Sequence, residues 1–168
     1  MPREAVTVSR KLLAIAGPGE GASAEAVADA ERIGELAASA GWVVICGGRN
    51  AGVMAAAARG AARAGGIALG LLPSPDDRDT APGLTAALAT GLGEARDAVL
   101  AQSCHAMVVC GMSAGTAAEV ALAIRAWKPV VLVRPDRAAE EFLGGLSGDR
   151  VFVVSDADQA VALLMTSS

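Results

Sequence analysis

Along this chain, short runs that are apolar at nearly every position alternate with longer segments whose apolar residues recur at helical spacing. The first pattern predicts strands over residues 12–16 (LLAIA), 42–46 (WVVIC), 67–72 (IALGLL), 105–110 (HAMVVC), 129–133 (PVVLV) and 151–154 (VFVV). Residues 86–90 read as one more short strand. The second pattern predicts helices over about 23–40, 52–64, 94–102, 116–127, 137–143 and 156–165. Ser23 is placed to cap the first of these and Gly41 to stop it, while Gly65-Gly66 ends the second.

Several of the strands are apolar on both faces, which requires cover on both sides, and the alternation of strand with helix supplies it. The expected fold class is therefore α/β: a single-domain, Rossmann-like, doubly wound sheet, mainly parallel, of about six or seven strands with helices on both faces. One domain is expected over residues 1–168, with 1–10 as a flexible tail and no internal repeat or linker. The most polar and proline-rich stretch, PSPDDRDTAPG over 73–83, reads as a mobile loop.

Composition sharpens this. Hydrophobic residues make up 53% of the chain and charged residues 19%, yet aromatics are only 2%, so the core is built from small aliphatic side chains. The helices at 52–64 and 117–127 are too apolar all round for one buried face each, which predicts at least a homodimer with both in the interface. No apolar run reaches the roughly 18 residues needed to span a bilayer without a charge or glycine. The start, MPREAVTVSRK, lacks the apolar centre of a secretory signal. Cys46, Cys104 and Cys110 form no CxxC pair, so a reduced, cytoplasmic protein without a structural metal is expected. A net charge of −4 argues against a nucleic-acid surface. His105 is the single histidine, which leaves a zinc site or a Ser-His-Asp relay without partners. It reads as a structural residue, and Trp127 as a packing or interface anchor.

Ligands of open parallel sheets collect at the carboxyl ends of the strands. Two strand ends here run through glycine-rich turns into helices: Gly47-Gly48-Arg49-Asn50-Ala51-Gly52 and Gly111-Met112-Ser113-Ala114-Gly115-Thr116. Glycine lets a backbone approach a ligand, and the first amides of a helix are free donors with a partial positive charge. Together the turns predict a cradle for a phosphate-bearing ligand. The candidate contacts are Gly17, Gly47, Gly48, Arg49, Asn50, Gly52, Met54, Ser113, Ala114, Gly115 and Thr116. Neither turn is a GxGxxG or a GxxxxGK[ST] motif, which excludes a Walker-type ATPase. Glu119 follows Thr116 by three residues, and Thr-x-x-Glu is a capping box. It is therefore either a structural cap or a carboxylate in the crevice. Arg96 and Asp97 open the preceding helix, either as a solvated pair or as a fork for a phosphate.

These residues carry a family likeness. GGRNAGVMAAAARGAARAGGIALGLLP and TGLGEARDAVLAQSCHAMVVCGMSAGTAAEVALAIRAWKPVVLV resemble the two halves of the LOG-like Rossmann proteins, also labelled "lysine decarboxylase-like". The likeness covers about residues 12–133. It implies either of two functions, and lysine decarboxylation is neither of them. One branch consists of phosphoribohydrolases that cleave a nucleoside 5′-monophosphate to free base and ribose 5-phosphate. The other resembles molybdenum-cofactor carrier proteins, which bind a phosphate-bearing pterin without turning it over, and TGLGEAR looks closer to this branch. The hydrolase motif is Pro-Gly-Gly-x-Gly-Thr-x-Glu-Glu. Here Gly111, Met112, Ser113 and Ala118 depart from it, while Gly115, Thr116 and Glu119 match. Losing one of two acids counts against hydrolysis, so binding of the molybdenum cofactor or a nucleoside monophosphate as ligand is the leading expectation, with no cofactor required. Hydrolysis by Arg96 and Glu119 is the alternative.

Overall fold

The computed structural model describes residues 10–147 and 149–166. The expected tail at 1–10 lies outside the described residues except for Arg10, which is exposed. Among these residues seven strands form one sheet: β1 (Leu12–Ala16), β2 (Val43–Cys46), β3 (Ala68–Leu72), β4 (Ala86–Ala89), β5 (Ala106–Cys110), β6 (Val130–Val133) and β7 (Val151–Val154). Their order is β4-β3-β2-β1-β5-β6-β7, and every pairing is parallel. Among the described residues six α-helices complete the fold: α1 (Ala24–Ser39), α2 (Gly52–Arg63), α3 (Arg96–Ser103), α4 (Ala114–Arg125), α5 (Arg137–Ser147) and α6 (Ala157–Thr166). The helix expected from residue 94 begins as a single 3₁₀ turn, Gly93–Ala95, and becomes α-helical only at Arg96.

Alternation along each strand divides the core into two layers. Leu13 and Ile15 of β1, with Val44, Val108 and Val131, pack under α1, α2 and α6. Ala14 and Ala16, with Ile45, Met107, Val109 and Leu132, pack under α3, α4 and α5. Central strands buried on both faces have no polar side, which is why they read as unbroken apolar runs.

The alanine content of α2 has a cause within one chain. A β-carbon on Gly34 of α1 would collide with the Ala57 carbonyl, and one on Gly60 of α2 with the Glu31 carbonyl, so the two helices touch backbone to backbone. On another side, Ala55 and Ala58 pack with Ala81 of the 73–85 connection. Val53, Met54, Gly60 and Ala61 are also buried. The apolar wrap of α2, expected to serve a subunit interface, is therefore covered inside the protomer.

Two smaller expectations resolve as well. His105 stands at the entry to β5, where its Nδ1 accepts the Leu12 amide at 3.0 Å and its own amide donates to the Leu12 carbonyl at 2.8 Å. Trp127 follows α4 with φ +62°, is 71% exposed, and carries the Arg150 guanidinium 4.1 Å from its ring centre. It is thus no core anchor; a ring stacked by arginine gains only a modest cation–π attraction.

Candidate functional site

From β1 the chain winds outward through β2 and β3 to β4, then crosses back to β5 on the other side of β1. The order reverses between β1 and β5, and such a switch point leaves a crevice at the carboxyl ends of the strands. A cleft of about 380 Å³ opens there. Three turns wall it: the one after β1 (Ala16 to Glu20), the one after β2 (Gly47 and Arg49), and the one after β5, which enters α4 (Ser113 to Thr116). Met54 of α2, Arg96 and Asp97 of α3 and Glu119 of α4 complete the lining.

The α4 end of the cleft is built from the start of a helix. Ser113 is the N-cap, with extended backbone, and its hydroxyl accepts the Thr116 amide at 3.2 Å and lies 2.9 Å from the Thr116 hydroxyl. Ala114 and Gly115 are the first two helical residues, so their amides have no carbonyl within the helix to bond. Both residues are exposed and face the cleft, where helix polarity favours negative charge.

This cap also settles Glu119. The capping position falls on Ser113, three residues before Thr116, so Glu119 sits in the second turn of α4 and caps nothing. It is 9% exposed and lines the cleft, and among the described residues its carboxyl has no hydrogen bond or ion pair. Burial pushes its pKa up to about 7; the charge of Asp97 adds to this and that of Arg96 opposes it. Asp97, also 9% exposed, is raised by burial against the lowering charge of Arg96.

Arg96 is fixed rather than solvated. Its Nη1 donates to the Leu71 carbonyl at 3.1 Å, and its Nε lies 3.0 Å from Asp97 Oδ1 without the alignment of a hydrogen bond. The guanidinium lies against Gly47, where a β-carbon would strike Arg96 Nη1 and come within 2.7 Å of Met54 Sδ. Glycine at 47 is what lets an arginine from α3 reach across to β3.

The β2–α2 turn is used differently from expectation. Gly47, Arg49 and Met54 line the cleft, whereas Gly48, Asn50 and Gly52 do not. Gly48 is packed on Gly70, and Asn50 is exposed with its amide donated to the Asp79 carbonyl at 2.8 Å. Gly52 has φ +42°, and a β-carbon there would strike the Pro18 and Gly19 carbonyls. The Val53 amide donates to the Pro18 carbonyl at 3.0 Å, so the chain itself occupies this helix end. Of the two helix starts expected to form the cradle, only that of α4 presents its first residues to the cleft, opposite the β1–α1 turn. Pro18, Gly19 and Glu20, which were not among the expected contacts, line the cleft too; nothing local in GPGEG shows that α2 leans on it.

Arg49 stands at the mouth. Its Nη2 bonds Glu20 at 2.7 Å and its Nε bonds Asp79 at 2.8 Å. The Arg49 hydrogen bond holds the Glu20 carboxyl below the usual carboxylate range. The 73–83 loop is tied down here by an antiparallel bridge between Arg49 and Thr80. No group of metal-ligating side chains occurs among the described residues, and no helix there is long and apolar enough to cross a membrane.

Comparison with known proteins adds three relatives of similar length. The molybdenum cofactor binding protein from the phototrophic bacterium Rippkaea orientalis superposes with TM-score 0.93 at 35% identity, over 95% of this chain and 98% of that one. The Moco carrier protein from Chlamydomonas reinhardtii superposes with TM-score 0.88 at 38% identity, over 94% and 97%. An uncharacterized protein of Archaeoglobus fulgidus is 36% identical over 141 residues, 83% of this chain and 85% of its own length. Over residues 10–162 the sequence matches the SLOG cluster4 family, and the chain belongs to it.

Proposed function

We propose that the protein binds a phosphate-bearing pterin of the molybdenum-cofactor kind and holds it without turning it over. The observation that carries this reading is the cleft at the switch point, open at one end to the free amides of Ala114 and Gly115 and floored by two buried carboxyls. A phosphate fits the first end, with the Ser113 and Thr116 hydroxyls beside it. The ring N–H and amino groups of a pterin fit the second, because Glu119 has no partner of its own and a buried carboxyl without one is costly. Two relatives over 30% identical, a molybdenum cofactor binding protein and a Moco carrier protein, support the same ligand class.

The proposal includes a cytoplasmic homodimer associating through α4, where Ala118 and Arg125 stay exposed, as does Val99 of α3. The test is chemical analysis of protein purified without added ligand. Molybdenum and a pterin phosphate retained together at near one per chain is the expected result, and retention of neither after incubation with the cofactor would remove the reading.

One observation favours the second reading, a nucleoside 5′-monophosphate phosphoribohydrolase. A carboxyl at about 7 suits proton transfer near neutral pH, and Asp97 supplies from α3 the second acid that the motif lacks at Ala118. That reading requires ribose 5-phosphate from a purine nucleoside monophosphate and its loss in Glu119→Gln. The carrier reading predicts release no faster than the buffer blank.

A further inference from the structure

The positive charge in the cleft is already spoken for. Arg96 is turned toward the Leu71 carbonyl and Asp97. Arg49, the other cleft-lining arginine, is shared between Glu20 and Asp79. Of these two acids Glu20 lines the cleft and Asp79 does not. Glu20 is 73% exposed and ionised, and a β-carbon on the adjoining Gly19 would lie 4.0 Å from Arg49 Nη1, so the β1–α1 turn and the arginine close over one another at the mouth. A carboxylate in this position does what an arriving anion would do: it faces the guanidinium from the ligand's side.

We infer that Glu20 is an internal competitor for the ligand's phosphate at Arg49, so that binding exchanges one anion for the other on the same guanidinium. This rests on the phosphate-bearing ligand proposed above and deepens it by naming what sets how tightly the ligand is held. The exchange is energetically open, because an exposed carboxylate–arginine pair contributes little while a phosphate engages the planar fork with charge-assisted bonds. Asp79, which does not line the cleft, keeps the guanidinium at the mouth throughout. A protein that must hand its ligand on gains from such a device, since the returning carboxylate takes over the arginine as the phosphate departs.

The test is a double-mutant cycle with the molybdenum cofactor as probe, titrated into the wild-type chain, Glu20→Gln, Arg49→Gln and the double variant at one salt concentration. All the substituted side chains are at least partly exposed, and matching thermal melts establish that each variant is folded. Glu20→Gln is expected to tighten binding by about threefold or more, a gain lost when Arg49 is also replaced. Asp79→Asn, a second variant that leaves Glu20 in place, is expected to tighten binding less. An equal gain with and without Arg49 would reduce Glu20 to a general surface charge and overturn the exchange, as would unchanged or weaker binding in Glu20→Gln. Absence of binding in every form would instead overturn the ligand class, and the exchange with it.

Discussion

At the scale of single residues, Glu119 makes the sharpest claim. Its pKa stands at about 7 in the fold against an ordinary 4.5, so folding takes up a proton. The stabilisation linked to that proton is complete below about pH 4.5 and is lost as pH rises through about 7, on the order of 3 kcal/mol for a displacement of this size. Asp97 is raised too and works in the same direction. Denaturant unfolding at about pH 5 and about pH 8 is expected to show the wild-type chain losing stability between them, and Glu119→Gln losing less than half as much. Equal slopes would mean that the carboxyl is not desolvated. Gly47→Ala separates binding from folding: the three atoms it would meet, two on Arg96 and one on Met54, are near the ends of side chains. The melting temperature should barely move, whereas affinity for the molybdenum cofactor should fall by about tenfold as the guanidinium is displaced.

Between elements, the close approach of α1 and α2 holds one wall of the cleft. Gly60→Ala would drive a β-carbon into the Glu31 carbonyl, which is backbone and cannot swing aside. An overpacking cost of about 1–3 kcal/mol in chemical unfolding is expected. Gly144→Ala in α5 is the control: no atom lies within 4 Å of the added methyl, so the better helix former should stabilise by about 0.5–1 kcal/mol. At this scale most of the fold was legible, because the strands are short and apolar and most are bounded by glycine or proline. Even the small β4 could be read, from AALA between two turns. The misplaced features share one cause. Ser113 and Thr116 both resemble caps, and which of them caps depends on where β5 releases the chain. Likewise, one of the free amides expected at α2, that of Val53, is taken by the Pro18 carbonyl, more than thirty residues earlier, and Glu20 meets Arg49 across a similar distance. Local pattern cannot carry pairings of that separation.

For the whole molecule, the apolar surplus of α2 is covered by its own chain. The proposed homodimer rests on α4, and light scattering at low micromolar concentration is expected to give twice the mass of the chain. A monomer mass would end that part of the proposal. The central claim concerns the cleft: helix amides at one end and buried carboxyls at the other hold a phosphate-bearing pterin intact. The most direct measurement is calorimetric titration with the molybdenum cofactor under exclusion of oxygen, of the wild-type chain and of Gly115→Asp, which sets a carboxylate before the amides of α4. The account predicts one cofactor bound per chain and a loss of about a hundredfold or more in the variant. Equal affinity in the two proteins, or no heat of binding in either, would contradict it.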